Sequence, residues 1–308
     1  MFGWLVRLIV SFLDVLREVL ASVLGESTGK IVDWLSWKLS GTHKIQRISS
    51  SYKGLDKMRR IEKCLANSRH KELQDFREYT SVSELSATIL KVKNIAAAKD
   101  PEFIARIDTT FHPMCEINKL TKEATILKRT KYDVENEEHE MTLLSLWNSL
   151  QPDRELESRV SEAWGDIGFQ GNDPATDFRG MGILGLQNLH YLAKYKKTGS
   201  KLLAASNHPQ YGFSLAITSI NLTAVLMQML ESGLLRSHFY FKCSHGGSRS
   251  VTMNDLHEAH CSILTDFVKF YQDRKPATIM EFNTHKAAYT ETLKDKLSSD
   301  SPLLETVQ

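Results

Sequence analysis

Apolar residues recur three and four positions apart through most of the chain, and few stretches alternate with the two-residue period of a strand. Ser83 precedes an apolar face of Leu85, Ile89, Leu90 and Val92, which predicts a helix start. Asp100-Pro101 is a second start, with Phe103, Ile104 and Ile107 following until Pro113 is expected to perturb or end the helix. Leu143, Leu144, Trp147 and Leu150 form another stripe, stopped before Pro152. Shorter patterns predict helices over Leu156–Trp164 and Met181–Leu192, with a break at Asn207-His208-Pro209. The run from Phe213 to Leu230 is apolar nearly all round and reads as the central buried helix; Ser214, Thr218, Ser219, Asn221 and Thr223 inside it argue against a membrane span. A turn is expected at His245 to Ser248, then Thr252 with Asp255 as a capping box, a helix lined by Phe267, Phe270 and Tyr271, and a connector over Asp273–Pro276. A last helix is expected over Ile279–Leu297, followed by a loose tail at 298–308. Phe239–Phe241 is the single weak strand candidate, so the pattern predicts an all-α protein.

The first 24 residues have a pattern of their own. At about 100° per residue, Arg7, Ser11, Asp14, Glu18 and Ser22 cluster on one side of a helix, while Trp4, Leu8, Phe12, Leu16, Val19 and Val23 belong to a broad apolar face. Four charges within the window disfavour a spanning helix, and Arg7 interrupts what would be the uncharged core of a signal peptide. Such a helix suits the plane of a membrane interface, and the alternative is docking on the protein's own core. Directly behind it, between Lys30 and Lys71, cations far outnumber acids. That stretch would draw the chain to anionic lipid at about 1 kcal/mol per cation, or else forms a solvated helix face.

Composition narrows the possibilities further. Of 308 residues, 42% are hydrophobic and 25% charged, with 39 Lys and Arg against 37 Asp and Glu. The near-zero net charge and the scarcity of aromatics among the cations argue against a nucleic-acid binder. A mean hydropathy of −0.29 excludes a polytopic membrane protein. Cys64, Cys115, Cys243 and Cys261 are widely spaced, which fits a reducing, cytoplasmic compartment better than a disulfide framework. The sequon at Asn221 lies inside the predicted central helix and reads as chance. The expected organisation is an amphipathic helix over 1–24, a basic helical region over 25–135, a helical domain over 136–297 and the tail.

Candidate chemistry is sparse. There is no GxxxxGK[ST], GxGxxG, HExxH or GxSxG. Cys243, His245, His257, His260 and Cys261 match no standard zinc spacing, so no metal and no cofactor is expected. The segment from Trp164 to Gly182 stands out because glycines and Pro174 shape its backbone while Trp164, Ile167, Phe169 and Phe178 are placed to pin it to a core. Asp173, Thr176 and Asp177 are placed to cap the next helix or orient a cation. Arg179 follows the pinning Phe178, and Gly180 leaves room for a partner to approach. On the residues alone, an ion pair of Arg179 with Asp173 or Asp177 is the plainest expectation.

This segment resembles the signature of the ELMO domain, and so do its flanks at Leu146-Trp147, Ser206 to Pro209, Gly212 to Ser214, Ile220 to Thr223 and Ile279 to Asn283. The likeness covers roughly 136–297, and the whole chain is similar to the short ELMO-domain-containing proteins. The resemblance implies a GTPase-activating protein for GTP-bound Arf-family and Arf-like small GTPases. It assigns to Arg179 the role of an arginine finger, with Asp173 and Asp177 holding the guanidinium and Trp164, Phe169 and Gln170 supporting the loop. It also implies peripheral attachment, through residues 2–24, to an intracellular membrane such as the endoplasmic reticulum, Golgi, lipid droplet or mitochondrion. The competing expectation is a scaffold or membrane-tethered adaptor without activity of its own.

Overall fold

The computed structural model describes residues 3–245, 250–299 and Leu304. Among them it is all helix, with no strand. The chain divides into two compact units, residues 1–118 and 119–308.

In the first unit α1 (Gly3–Leu24) and α2 (Glu26–Ser40) form a hairpin. Gly25 turns the chain at φ +89°, where only glycine is unstrained. Gly29 lets the helices approach: a Cβ there would lie 3.1 Å from Ala21 Cβ. Next come α3 (Lys44–Ser51), α4 (Gly54–Ala66), the single turn α5 (Lys71–Gln74), α6 (Val82–Val92) and the start of α7 (Pro101–Arg129). Helix α6 begins a residue earlier than its sequence suggests. Asp100 caps α7 as expected, its Oδ1 accepting from the Phe103 N–H at 2.9 Å.

Pro113 does not end α7. It removes one N–H from the ladder, yet Phe111, Met114, Cys115, Ile117 and Asn118 around it are all buried. Packing of those side chains outweighs a local cost of about 3 kcal/mol. Asn118 also ties the helix to the preceding loop, its Nδ2 donating to the carbonyls of Phe76 at 2.9 Å and Tyr79 at 2.7 Å.

In the second unit α8 (Glu137–Leu150), α9 (Gly182–Lys194), α10 (Lys196–Ser206), α11 (Leu215–Ser232), α12 (Arg236–His245), α13 (Met253–Asp273) and α14 (Phe282–Ser298) build the core. Helix α11 is long and apolar enough to cross a membrane, but it is mostly buried among α9, α13 and α10 and is the central core helix. Ser219, Asn221 and Thr223 on it find partners within the protein. Asn188 on α9 donates to Thr223 Oγ1 at 3.0 Å and accepts from His257 Nδ1 at 2.7 Å, while His260 Nε2 donates to the Ser219 carbonyl at 3.0 Å. Asn221 is half-buried and bonded to Lys286 Nζ at 2.8 Å.

Several sequence expectations are corrected here. Phe239–Phe241 is not a strand but the middle of α12, since three residues carry too little periodicity to outweigh a helix buried from Leu235 to Phe239. The predicted helix over Leu156–Trp164 does not form. Instead Trp147 Nε1 donates to the Arg154 carbonyl and Trp164 Nε1 to the Arg159 carbonyl, both at 2.9 Å, and the backbone follows an irregular path. The Thr252–Asp255 capping box forms, with Asp255 Oδ2 accepting from the Thr252 N–H at 2.8 Å. Ile279–Glu281 is a 3₁₀ turn that leads into α14. In the stretch expected to be a turn, His245 ends α12 and 246–248 lie outside the described residues. Of the tail expected to be loose, Ser298 closes α14, and Leu304 is buried with its N–H donating to His238 Nδ1 at 3.3 Å.

Candidate functional site

The segment between α8 and α9 is two 3₁₀ turns, Glu162–Ile167 and Pro174–Arg179, rather than open loop. A run of rings anchors it. Trp147 meets Trp164 edge-on at 5.3 Å, Trp164 meets Phe169 at 5.6 Å, Phe169 meets Phe178 at 5.7 Å, and Phe178 stacks on Tyr132 at 5.5 Å. Trp164, Phe169 and Phe178 are buried, so burial alone contributes about 1.5–3 kcal/mol for each ring.

Two glycines join this segment to the core helices. Gly168 has φ +88°, and a Cβ there would lie 2.3 Å from the Leu215 nitrogen. Its carbonyl accepts from the Ile217 N–H at 3.2 Å, satisfying one of the orphan donors of α11, which has no side-chain N-cap. Gly182, at φ +53°, sits against the carbonyls that end α7, where a Cβ would be 2.3 Å from Thr130 O. The Ile183 N–H donates to that same oxygen at 3.0 Å. The positive start of α9 therefore faces the negative end of α7.

The second turn is set by Asp173 and Pro174. Asp173 Oδ1 accepts from the Ala175 N–H at 3.0 Å, and Pro174, buried at the first position, has no N–H to leave unpaired. Thr176 Oγ1 closes the turn on the Asp173 carbonyl at 3.0 Å. Asp177 Oδ2 accepts from the Gln170 N–H at 2.8 Å, lacing the turn to the preceding strand of loop. Burial pushes the Asp177 carboxyl above the usual carboxylate range.

Arg179 is exposed at the end of this turn. Its Nε donates to the Thr176 carbonyl at 2.6 Å. The expected ion pair with Asp173 or Asp177 is absent; among the described residues Arg179 forms none. Asp173 pairs with Arg159 instead. Arg159 Nε also bonds both oxygens of Glu140, at 3.0 and 3.1 Å, and Tyr132 Oη donates to the same carboxylate at 2.6 Å. Although partial burial opposes its charge, hydrogen bonding to Arg159 holds the Asp173 carboxyl below its ordinary value. Asp173 is thus consumed by the scaffold, and Asp177 acts on Arg179 only through space.

Of the residues singled out in the sequence, Trp164, Phe169, Asp173, Pro174, Thr176, Asp177, Phe178, Arg179 and Gly180 are brought into one feature, with Gln170 joining through its backbone. Gly180 has nothing within 4 Å of where a Cβ would stand. Sequence reasoning missed Arg159, Glu140 and Tyr132. The sequence carries an acidic run from Glu135 to Glu140, but nothing in it marks Glu140 as the partner of a cation 19 positions away. Among the described residues no cluster of histidine, cysteine and carboxylate side chains is placed to hold a metal. His257 and His260 serve the core, and burial first of all pushes both down to about 4.

The sequence profile of the ELMO/CED-12 family matches residues 122–286. The chain is similar to ELMO domain-containing protein 2 of Mus musculus, 37% identical over 88% of this chain and 93% of the relative. It is 32% identical to ELMO domain-containing protein 1 of Pongo abelii, covering 94% of each. To ELMO domain-containing protein B of Dictyostelium discoideum it is 31% identical, over 91% of this chain and 97% of the relative. No solved structure matches.

Proposed function

Because the chain belongs to the ELMO/CED-12 family and presents an arginine on a braced loop, we propose that it is a GTPase-activating protein for Arf-family and Arf-like small GTPases, with Arg179 as the finger. One observation carries this reading. Arg179 is exposed at the end of a turn held by buried rings, and among the described residues its one hydrogen bond is from Nε to the Thr176 carbonyl, which leaves the Nη groups uncommitted. A structural arginine would spend its fork on a carboxylate, as Arg159 does beside it.

The chemistry follows from the charge that develops during hydrolysis. As the γ-phosphoryl group leaves, negative charge spreads over its oxygens and the leaving oxygen, and a planar guanidinium inserted from outside stabilises both. The Thr176 carbonyl fixes the near end of the side chain, so less freedom is lost when the far end docks. Gly180, with open space around it, gives the GTPase close access to the backbone beside the finger. The nucleotide, its magnesium ion and the attacking water belong to the GTPase.

Residues 2–24 supply membrane attachment in this reading, at the cytoplasmic face of an intracellular membrane. Two charges of α1 pair with neighbouring helices: Arg47 grips half-buried Asp14 through Nε at 3.0 Å and Nη2 at 3.1 Å, and buried Arg17 pairs with Asp33 at 2.9 Å, while Ser11 and Ser22 stay exposed. Leu8, Phe12, Val15, Val19 and Val23 are each more than half exposed. An apolar face left outward while the charges pair inside suits lipid better than water.

The decisive experiment is single-turnover hydrolysis on a GTP-loaded Arf-like GTPase. Arg179→Lys keeps the charge but not the planar fork, and the stimulated rate is expected to fall by about 10³–10⁵. Equal rates for the wild type and this variant refute the finger.

A further inference from the structure

The first unit holds a cavity of about 430 Å³ walled by α1, α2, α3, α4, the 67–70 loop and the end of α6. Seven lysine and arginine side chains line it against two aspartates. Both aspartates are already engaged, Asp14 by Arg47 and Asp33 by Arg17 and Lys44. Cationic charge is therefore in excess, and its burial has consequences. Desolvation first, with Arg17 adding repulsion, holds the Lys44 ammonium below the ordinary lysine range, while Asp33 works against that shift. His43 is likewise depressed, by burial and then by Lys93. Lys63 and Arg69 are exposed and form no ion pair among the described residues.

Two further features bear on what the cavity would accept. Asp33 Oδ2 is taken by Arg17 and Lys44 and its Oδ1 is buried, so the side chains left to meet a ligand are cationic. Cations spread over a cavity of that size match a ligand carrying several phosphate groups better than a bare phosphate. Trp34 and Trp37 line the same cavity from α2, 54% and 38% exposed, beside Ile31, Leu35 and Leu39, which are exposed as well. Tryptophan at a wet rim next to exposed aliphatic residues is the arrangement found at a membrane interface.

From these observations we infer that the cavity is a binding site for the phosphorylated inositol headgroup of a membrane lipid. The phosphates meet Lys44, Lys63, Arg69 and Lys93, and the acyl chains continue past Trp34 and Trp37 into the bilayer that α1 lies on. The lipid source rests on the membrane reading of α1 given above; the anion site itself does not, and neither depends on Arg179.

The test uses the full chain in two arms. In the first, soluble inositol trisphosphate is titrated by calorimetry. In the second, the protein is sedimented with phosphatidylcholine vesicles carrying either phosphatidylinositol bisphosphate or phosphatidylserine at equal total charge. Wild type is expected to bind the soluble headgroup and to prefer the phosphoinositide vesicles by about tenfold or more. The double variant Lys63→Glu/Lys93→Glu is expected to lose headgroup binding and the phosphoinositide preference while keeping its helical circular dichroism; the general loss of positive charge weakens attachment to both anionic vesicles alike. Lys63→Gln/Arg69→Gln, a milder pair, is expected to weaken headgroup binding in the same direction. Equal partition of wild type onto the two anionic vesicles, or an unchanged preference in both variants, overturns the proposal. Headgroup binding with no vesicle binding of any kind refutes the membrane reading and the lipid source with it. Vesicle binding with no headgroup binding refutes the cavity site alone.

Discussion

Replacing Gly168 with alanine tests the physical link between the loop that carries Arg179 and the core. The new Cβ would stand 2.3 Å from the Leu215 nitrogen, 2.7 Å from the Ser214 carbonyl carbon and 3.0 Å from the Ala216 nitrogen. All three are backbone atoms at the start of α11, which cannot rotate aside as a side chain would. Three costs add. A left-handed φ costs alanine about 1–2 kcal/mol. Forcing a methyl into packed backbone costs about 1–3 kcal/mol. Loss of the bond from the Ile217 N–H leaves a helix donor unpaired, worth about 0.5–1.5 kcal/mol. The sum is about 2.5–6.5 kcal/mol, which in a domain of this size lowers the melting temperature by roughly 5–26 °C. Circular dichroism melts and urea unfolding of the full chain read it directly. Two glycines in the same segment serve as controls. Gly171, also at positive φ but with open space around it, should lose only about 1 kcal/mol. Gly180→Ala, at φ −85° with no neighbour in reach, should leave stability within about 0.5 kcal/mol of wild type. If Gly168→Ala unfolds within about 1 kcal/mol of wild type, the loop is not seated on α11 as described, and its rigidity is no argument for a finger.

Other consequences are open to measurement. Arg179→Ala removes one exposed hydrogen bond and should shift stability by less than about 1 kcal/mol while abolishing GTPase stimulation, a separation readable by paired melts and single-turnover assays. Arg159→Ala should do the reverse on stability, costing about 1–3 kcal/mol in urea unfolding because Asp173 and Glu140 lose their partner at a half-buried site. Stability should fall as pH drops from about 6.5 toward 4. In that window the unfolded chain binds protons that buried His257 and His260 refuse, so unfolding is favoured, by up to about 3 kcal/mol for fully buried His260; a flat urea midpoint across the window would contradict it. Asp173 acts lower on the scale. Its depressed carboxyl contributes stability above about pH 4 that is lost as pH falls through its folded value, and Asp173→Asn should flatten that acid limb. Deleting residues 1–24 should release the protein from vesicles and spare activity on a soluble GTPase; unchanged cosedimentation would remove α1 as the anchor.

Much of the site was legible because it is carried by local chemistry. Asp173 before Pro174, rings at Trp164, Phe169 and Phe178, and an arginine beside a glycine are all readable along one strand of text, and the structure gathers them into one feature. What was not legible is who pairs with whom. The natural guess for Arg179 was its neighbour Asp173 or Asp177. Tertiary contact hands Asp173 to Arg159 and leaves Arg179 exposed, which reverses the meaning of the same residues. Likewise Asp14 and Arg17 were readable as charges in the first helix, but not that they would pair with Arg47 and Asp33.

The sequence by itself determined the helical class, the central helix at α11, the caps at Asp100 and Thr252, and the family, because each depends on residues close together in the chain. The tertiary structure decided the continuation of α7 through Pro113, the irregular path where a helix was expected before Trp164, and the helix at Phe239. It also decided which arginine braces the loop and which is left exposed. Those outcomes turn on packing and on hydrogen bonds between residues distant in sequence. A few kcal/mol from such contacts outweigh local preferences that are individually worth less.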